Sequence, residues 1–210
     1  HLRDFSSEQF KLLDQLFNML SIDHSIQNLF AGENINLSEN RPALHHQFRS
    51  TIPSREFDFK KICKPFIEKI RKEQFKNIIT FGIGGSYEGP KLLQEFLFTI
   101  SSNINYEFVS GPDKEEFNAI VKPLINKKTL YIFASKSLET DETLACLKWL
   151  GKNRNSKNSL VITANLDRAK SLGFSEDSIV PFPESVGGRY SIWSPISLTA
   201  CIENNFLNFL

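Results

Sequence analysis

The sequence predicts an α/β protein: a doubly wound, five-stranded parallel sheet preceded by an N-terminal helical region. Two observations predict it. From Asn77 onward short apolar runs alternate with amphipathic helices, the pattern of a parallel sheet covered on both faces. The first of these runs leads through a glycine-rich turn, Gly82-Ile83-Gly84-Gly85-Ser86, into a helix, which is how a backbone makes room for an anion. Residues 1–75 are read as the helical region and 76–210 as the α/β domain.

Ser6-Ser7-Glu8-Gln9 has the form of a capping box, and Phe10, Leu13, Leu16, Phe17 and Leu20 follow at helical spacing. A shorter helix around Ile22, Ile26, Leu29 and Phe30 closes at Gly32, and Asn34 to Asn40 reads as polar connecting chain. Phe59, Ile62, Phe66, Ile67 and Ile70 give another helical stripe, which Pro65 is expected to kink or restart. The expected strands are Ile78 to Ile83, Tyr106 to Ser110, Thr129 to Ser135, Leu160 to Ala164 and Ile179 to Phe182. Helices are expected at Pro90 to Phe98, Glu115 to Ile125, Glu139 to Leu150 and Leu166 to Leu172.

At 210 residues the chain is long enough to bury a sizeable core. Its net charge of +1 provides no sequence-wide field toward nucleic acid or anionic membrane, so any anion specificity must be local. Cys63, Cys146 and Cys201 lie far apart, outside any CxxC or Cys/His cluster, and read as buried reduced thiols. No apolar run has the length to span a bilayer and no signal-peptide pattern opens the chain, so a soluble cytoplasmic protein is expected. The chain begins at His1 and stops within the apolar stretch Leu198 to Leu210, and it is therefore expected to be part of a longer protein.

Three polar loops follow expected strand ends, and in a doubly wound sheet such loops gather at the carboxyl edge where ligands bind. They are Gly82 to Ser86; Ser135-Lys136-Ser137-Leu138-Glu139-Thr140; and Gly187-Gly188-Arg189-Tyr190-Ser191, in which two flexible residues present a guanidinium. Hydroxyls, helix N–H groups and an ammonium match the oxygens of a phosphate, each charged hydrogen bond being worth about 1.5–3 kcal/mol. A dinucleotide fingerprint is excluded because Tyr87 stands five residues beyond Gly82, and a nucleoside-triphosphate loop because Gly89 is followed by Pro90. Structural readings stand beside these: tight strand-to-helix packing for Gly82, a helix N-cap for Ser135 to Thr140, and a surface ion pair, for instance with Glu184, for Arg189. His45 and His46 have no metal-ligand spacing, one of them reading as a satisfied, partly buried histidine, and His24 reads as exposed.

At these loops the sequence resembles the phosphoglucose isomerase family, with its sugar-isomerase (SIS), flavodoxin-like fold. Asn36 to Arg49 (NLSENRPALHHQFR) is similar to the segment ahead of the family's first sheet domain, and Gly82 to Pro90 (GIGGSYEGP) to its glycine signature. Phe108 to Asp113 resembles the end of its second strand. Ala134 to Thr143 (ASKSLETDET) follows its phosphate-loop pattern, and Val186 to Ser194 (VGGRYSIWS) is nearly identical to its VGGRYSLWS segment.

The resemblance implies that Gly85, Ser86, Ser135, Lys136, Ser137 and Thr140 hold a sugar phosphate and that Arg189 is catalytic, facing the reacting carbons. It implies an aldose–ketose isomerase interconverting glucose 6-phosphate and fructose 6-phosphate through a cis-enediol. No cofactor or metal is implied, and the full-length protein is expected to be a homodimer binding neither nucleic acid nor membrane. The family's base glutamate, histidine and lysine are expected beyond this chain, as is a second SIS domain, so this chain alone is expected to be inactive. Departures from the family pattern place Leu138-Glu139 and Asp141 in the phosphate loop and Glu88 in the glycine signature. Acidic side chains pointing inward would weaken an anion site, and pointing outward would only complement a helix dipole. A non-catalytic sugar-phosphate-binding module, regulatory or degenerate, is the alternative reading.

Overall fold

The computed structural model describes residues 6–97, 103–125 and 127–203. They pack as two compact units divided between Leu44 and His45. In the first, α1 (Ser7–Met19) and α2 (Ile22–Ala31) are joined through Ser21. The expected capping box is formed at Ser6: its N–H donates to Gln9 Oε1 at 2.8 Å and Gln9 N–H donates to Ser6 Oγ at 3.3 Å. Gly32 closes α2 with φ +77°, a conformation that costs glycine little. No side chain of either helix is buried.

The second unit holds the sheet, with all pairs parallel and strand order β2-β1-β3-β4-β5. The strands are β1 (Asn77–Phe81), β2 (Asn105–Val109), β3 (Thr129–Ala134), β4 (Ser159–Thr163) and β5 (Ile179–Pro181). Every residue of β1, β3 and β4 is buried, because helices cover both faces. On one face Ile79, Phe81, Tyr131, Phe133 and Val161 join Phe117 and Val121 of α5 (Lys114–Val121), Leu147 and Leu150 of α6 (Asp141–Leu150) and Ala169 of α7 (Leu166–Ser171). Phe81 and Phe133 stack there at 4.8 Å, and each buried phenyl contributes about 1.5–3 kcal/mol. The other side carries α3 (Phe59–Glu73), α4 (Glu88–Leu97) and the buried 3₁₀ segment Pro195–Cys201, where Thr80 and Thr199 share a hydroxyl hydrogen bond of 3.1 Å. Helix α3, placed by the 75/76 division with the N-terminal region, packs against β5 and Pro195–Cys201 within the sheet unit.

Several element ends differ from the sequence expectation. Helix α3 runs continuously through Pro65 and is not restarted there. The helix expected from Glu115 to Ile125 is α5 followed by a 3₁₀ turn at Lys122–Leu124, since Pro123 supplies no N–H for the α ladder. The helix expected at Glu139 begins at Asp141, after Leu138 takes the left-handed conformation (φ +53°). The helix expected from Pro90 is α4, which begins earlier, at Glu88. Its expected last residue, Phe98, and the final stretch 204–210 lie outside the described residues.

Chain order and sheet order together fix where a ligand belongs. The chain leaves β1 for β2 on one side and then crosses to β3 on the other, so β1 and β3 are hydrogen-bonded neighbours whose connections depart in opposite directions. Between their carboxyl ends lies a topological switch point, the crevice such sheets use for ligands.

Candidate functional site

The turn after β1 is built for close approach. The N–H groups of Ser86 and Tyr87 are taken up inside it, by Ile83 O at 3.1 Å and Gly84 O at 2.9 Å. Those of Gly84 and Gly85 meet no backbone carbonyl among the described residues. Gly84 takes φ +55°, and a Cβ on Gly82 would come within 2.6 Å of Ser86 O, so both positions favour glycine. The decisive position is Gly85. A Cβ there would fall on the carbonyl oxygen of Gly188 and lie 2.5 Å from its carbon. Main chain therefore touches main chain, joining the turn after β1 to the one that carries Arg189.

The second loop leaves β3 at the neighbouring strand end. Ser135 is buried, its hydroxyl hydrogen-bonded to Thr140 Oγ1 at 3.0 Å and accepting from Leu138 N–H at 3.2 Å. These bonds hold Leu138 in its left-handed conformation and bring Thr140 back beside the strand end. Ser137 is exposed and accepts from Glu139 N–H at 3.2 Å. The carbonyl of Lys136 accepts from Ala164 N–H and Thr163 Oγ1, each at 2.9 Å, which ties the loop to the end of β4. Beyond that tie, a cleft of about 630 Å³ opens at the ends of β4 and β5, lined in part by Thr163, Leu166, Phe182 and Arg55. Glu139 and Asp141 are exposed, and Asp141 and Glu142 occupy the first turn of α6, where a carboxylate complements the dipole.

The third loop is a 3₁₀ segment, Gly188–Trp193. Arg189 is exposed and makes no ion pair among the described residues, so the surface pair with Glu184 is not formed. Of the glycines before it, expected as flexible residues, Gly188 lies with its carbonyl against Gly85. Ser191 Oγ donates to Gly188 O at 2.7 Å. Two of the three loops are thus in direct contact, and the remaining one stands at the adjacent strand end.

The phosphoglucose isomerase family model matches residues 3–210. The chain belongs to the phosphoglucose isomerase family. It is 32% identical over 233 residues to a glucose-6-phosphate isomerase of Buchnera aphidicola subsp. Cinara cedri, covering 97% of this chain and 42% of that relative. A glucose-6-phosphate isomerase of Wigglesworthia glossinidia brevipalpis is 31% identical over 232 residues, with the same coverage. The crystal structure of a glucose-6-phosphate isomerase from Chlamydia trachomatis aligns with a TM-score of 0.74 at 20% identity, over 98% of this chain and 44% of that one. The chain thus spans somewhat over two-fifths of the length of these relatives.

Within this chain the sequence reading missed how the Arg189 turn is held. Its glycine pair signalled flexibility, whereas Gly188 meets Gly85 and the ring of His45 stacks on Tyr190 at 4.5 Å. His45 lies in the 3₁₀ segment His45–Arg49, and its Nδ1 is shut off from solvent without a hydrogen-bond partner. Burial, with His46 and Arg49 nearby, holds the His45 imidazole below the ordinary histidine range. His24 is exposed, as expected. All three cysteines are free and buried. Among the described residues no group of three or more His, Cys, Asp or Glu side chains is arranged to hold a metal, and no helix is long and apolar enough to cross a membrane.

Proposed function

We propose that the full-length protein interconverts glucose 6-phosphate and fructose 6-phosphate, and that residues 76–210 are its first sugar-phosphate-binding domain. The observation that carries this reading is the main-chain contact between Gly85 and Gly188, which sets the guanidinium loop against the anion turn. Isomerisation moves a proton between C1 and C2 through an enediolate, so it needs a base and a fixed positive charge near the developing oxyanion. Arg189 supplies the charge. The base is a carboxylate elsewhere in the full-length protein, as the family resemblance implies.

Lys136, Ser137, Thr140, Ser86 and the Gly85 amide hold the phosphate, while Ser135 acts from inside the loop by fixing Thr140. Gripping the phosphate commits the far end of the sugar, so C1 and C2 are presented to Arg189 with little freedom left. The net charge of +1 fits a protein that engages a small anion rather than nucleic acid. The full-length enzyme is a cytoplasmic homodimer in this reading.

The test is a coupled assay of full-length protein with fructose 6-phosphate. Arg189→Ala is expected to lower kcat by about 10²–10³, the usual cost of one oxyanion-stabilising group, with the fold unchanged. Undiminished turnover would remove Arg189 from the chemistry. Glu139 and Asp141 are exposed, so they leave the phosphate loop open to an anion, and the non-catalytic binding module remains the second reading. Wild-type protein that binds 6-phosphogluconate but converts no substrate would establish that reading instead.

A further inference from the structure

We propose that His45 is a positioning residue for Arg189, its ring clamping the 187–191 turn through a face-to-face stack on Tyr190. This rests on the isomerase reading above and extends it to a residue that touches no substrate. The two rings lie 4.5 Å apart with planes 17° from parallel. Tyr190 is tied to the turn through its backbone: its N–H donates to Gly187 O at 3.0 Å. The far side of the turn is the Gly188 carbonyl lying on Gly85. Arg189 therefore sits between a main-chain contact and an aromatic one.

The main-chain contact fixes where the turn is anchored, but a single anchor leaves a short glycine-led loop able to pivot. Tyr190 alone cannot stop the pivot, since it is 54% exposed and its ring partner among the described residues is His45. An aromatic stack contributes about 0.5–1.5 kcal/mol beyond area burial, enough to shift a pivoting turn toward one orientation about 2- to 12-fold.

The test compares His45→Ala and His45→Phe in the full-length protein, with fructose 6-phosphate as substrate. His45→Ala is expected to lower kcat by about 10-fold, and up to 100-fold if the guanidinium moves by an ångström, with KM changed less than about threefold because the phosphate loops are untouched. His45→Phe restores the stack and most of kcat. Unchanged kcat in His45→Ala, or His45→Phe as defective as His45→Ala, would overturn the proposal. Hydrogen exchange at the amides of 187–191 gives a readout independent of turnover: faster in His45→Ala, restored in His45→Phe. Tyr190→Leu, which breaks the same stack from the other side, must reproduce the faster exchange if His45→Ala fails to fold. Inactive wild-type protein would sink the isomerase reading, while the exchange data would still decide the clamp.

Discussion

Replacing Gly85 by alanine tests the joint on which the site depends. The added Cβ would lie 2.5 Å from the Gly188 carbonyl carbon, and nearer still to its oxygen, whereas real Cβ contacts essentially never fall under 3.0 Å. The oxygen, as the nearer atom, sets the requirement: the two turns must separate by about an ångström. Neither atom belongs to a flexible side chain that can swing away. Overpacking of this kind costs about 1–3 kcal/mol. For a chain of this size each kcal/mol lowers Tm by about 2–4 °C, so a drop of about 2–12 °C is expected by differential scanning calorimetry. Displacing Arg189 from the anion turn is also expected to lower kcat/KM of the full-length protein by about 10–100-fold. Gly188→Ala is the control, because a Cβ there meets nothing within 4 Å and its φ is not left-handed. Equal melting and equal turnover for Gly85→Ala and Gly188→Ala would refute the reasoning.

Ser135→Ala leaves the Leu138 N–H without its acceptor in a buried loop and is expected to cost about 1–3 kcal/mol in denaturant titration, with weaker binding of 6-phosphogluconate. Ser137→Ala, at an exposed position, should leave stability within about 0.5 kcal/mol and weaken binding only. The three thiols should be inert in the native state: burial raises Cys63 well above the ordinary thiol range and pushes Cys146 and Cys201 up to about 12. Labelling by iodoacetamide at pH 8 should therefore proceed only after denaturation, and rapid labelling of the folded protein would contradict their burial. Asp177 is held below the usual carboxylate range by Lys69, 2.8 Å away, and by Ser175. Its stabilising contribution should be present above the unfolded pKa near 4 and fade as pH falls through the lower folded value. The small deficit of Asp177→Asn in thermal melts at pH 7 should accordingly vanish at pH 2.

The sheet was legible because its signal is repeated in every strand. Ile78–Phe81 and Thr129–Ala134 are unbroken apolar or β-branched runs between helices, and a doubly covered parallel sheet accommodates several of them. Strand ends were less legible: Ile83 reads as strand, yet it is 41% exposed inside the glycine turn, because backbone geometry there outweighs side-chain hydrophobicity. The three loops at the strand ends could be found from their glycines and hydroxyls. What holds them could not. The Ser135–Thr140 bond depends on Leu138 entering the left-handed region, for which leucine carries no propensity. The stack of His45 on Tyr190 joins segments far apart in the chain, and nothing in local periodicity announces it. Likewise Gly187-Gly188 looks the same in sequence whether a turn is loose or pressed against another backbone.

The joint at Gly85 and Gly188 links segments roughly a hundred residues apart, and contacts of such separation form late. A nascent polypeptide emerging from the ribosome completes β1 and its turn long before the partner segment is synthesised. Until Gly188 arrives, the turn after β1 lacks the main-chain carbonyl it packs against. Closure of the joint is thereby left to a stage at which nearly all of this sheet unit has been synthesised.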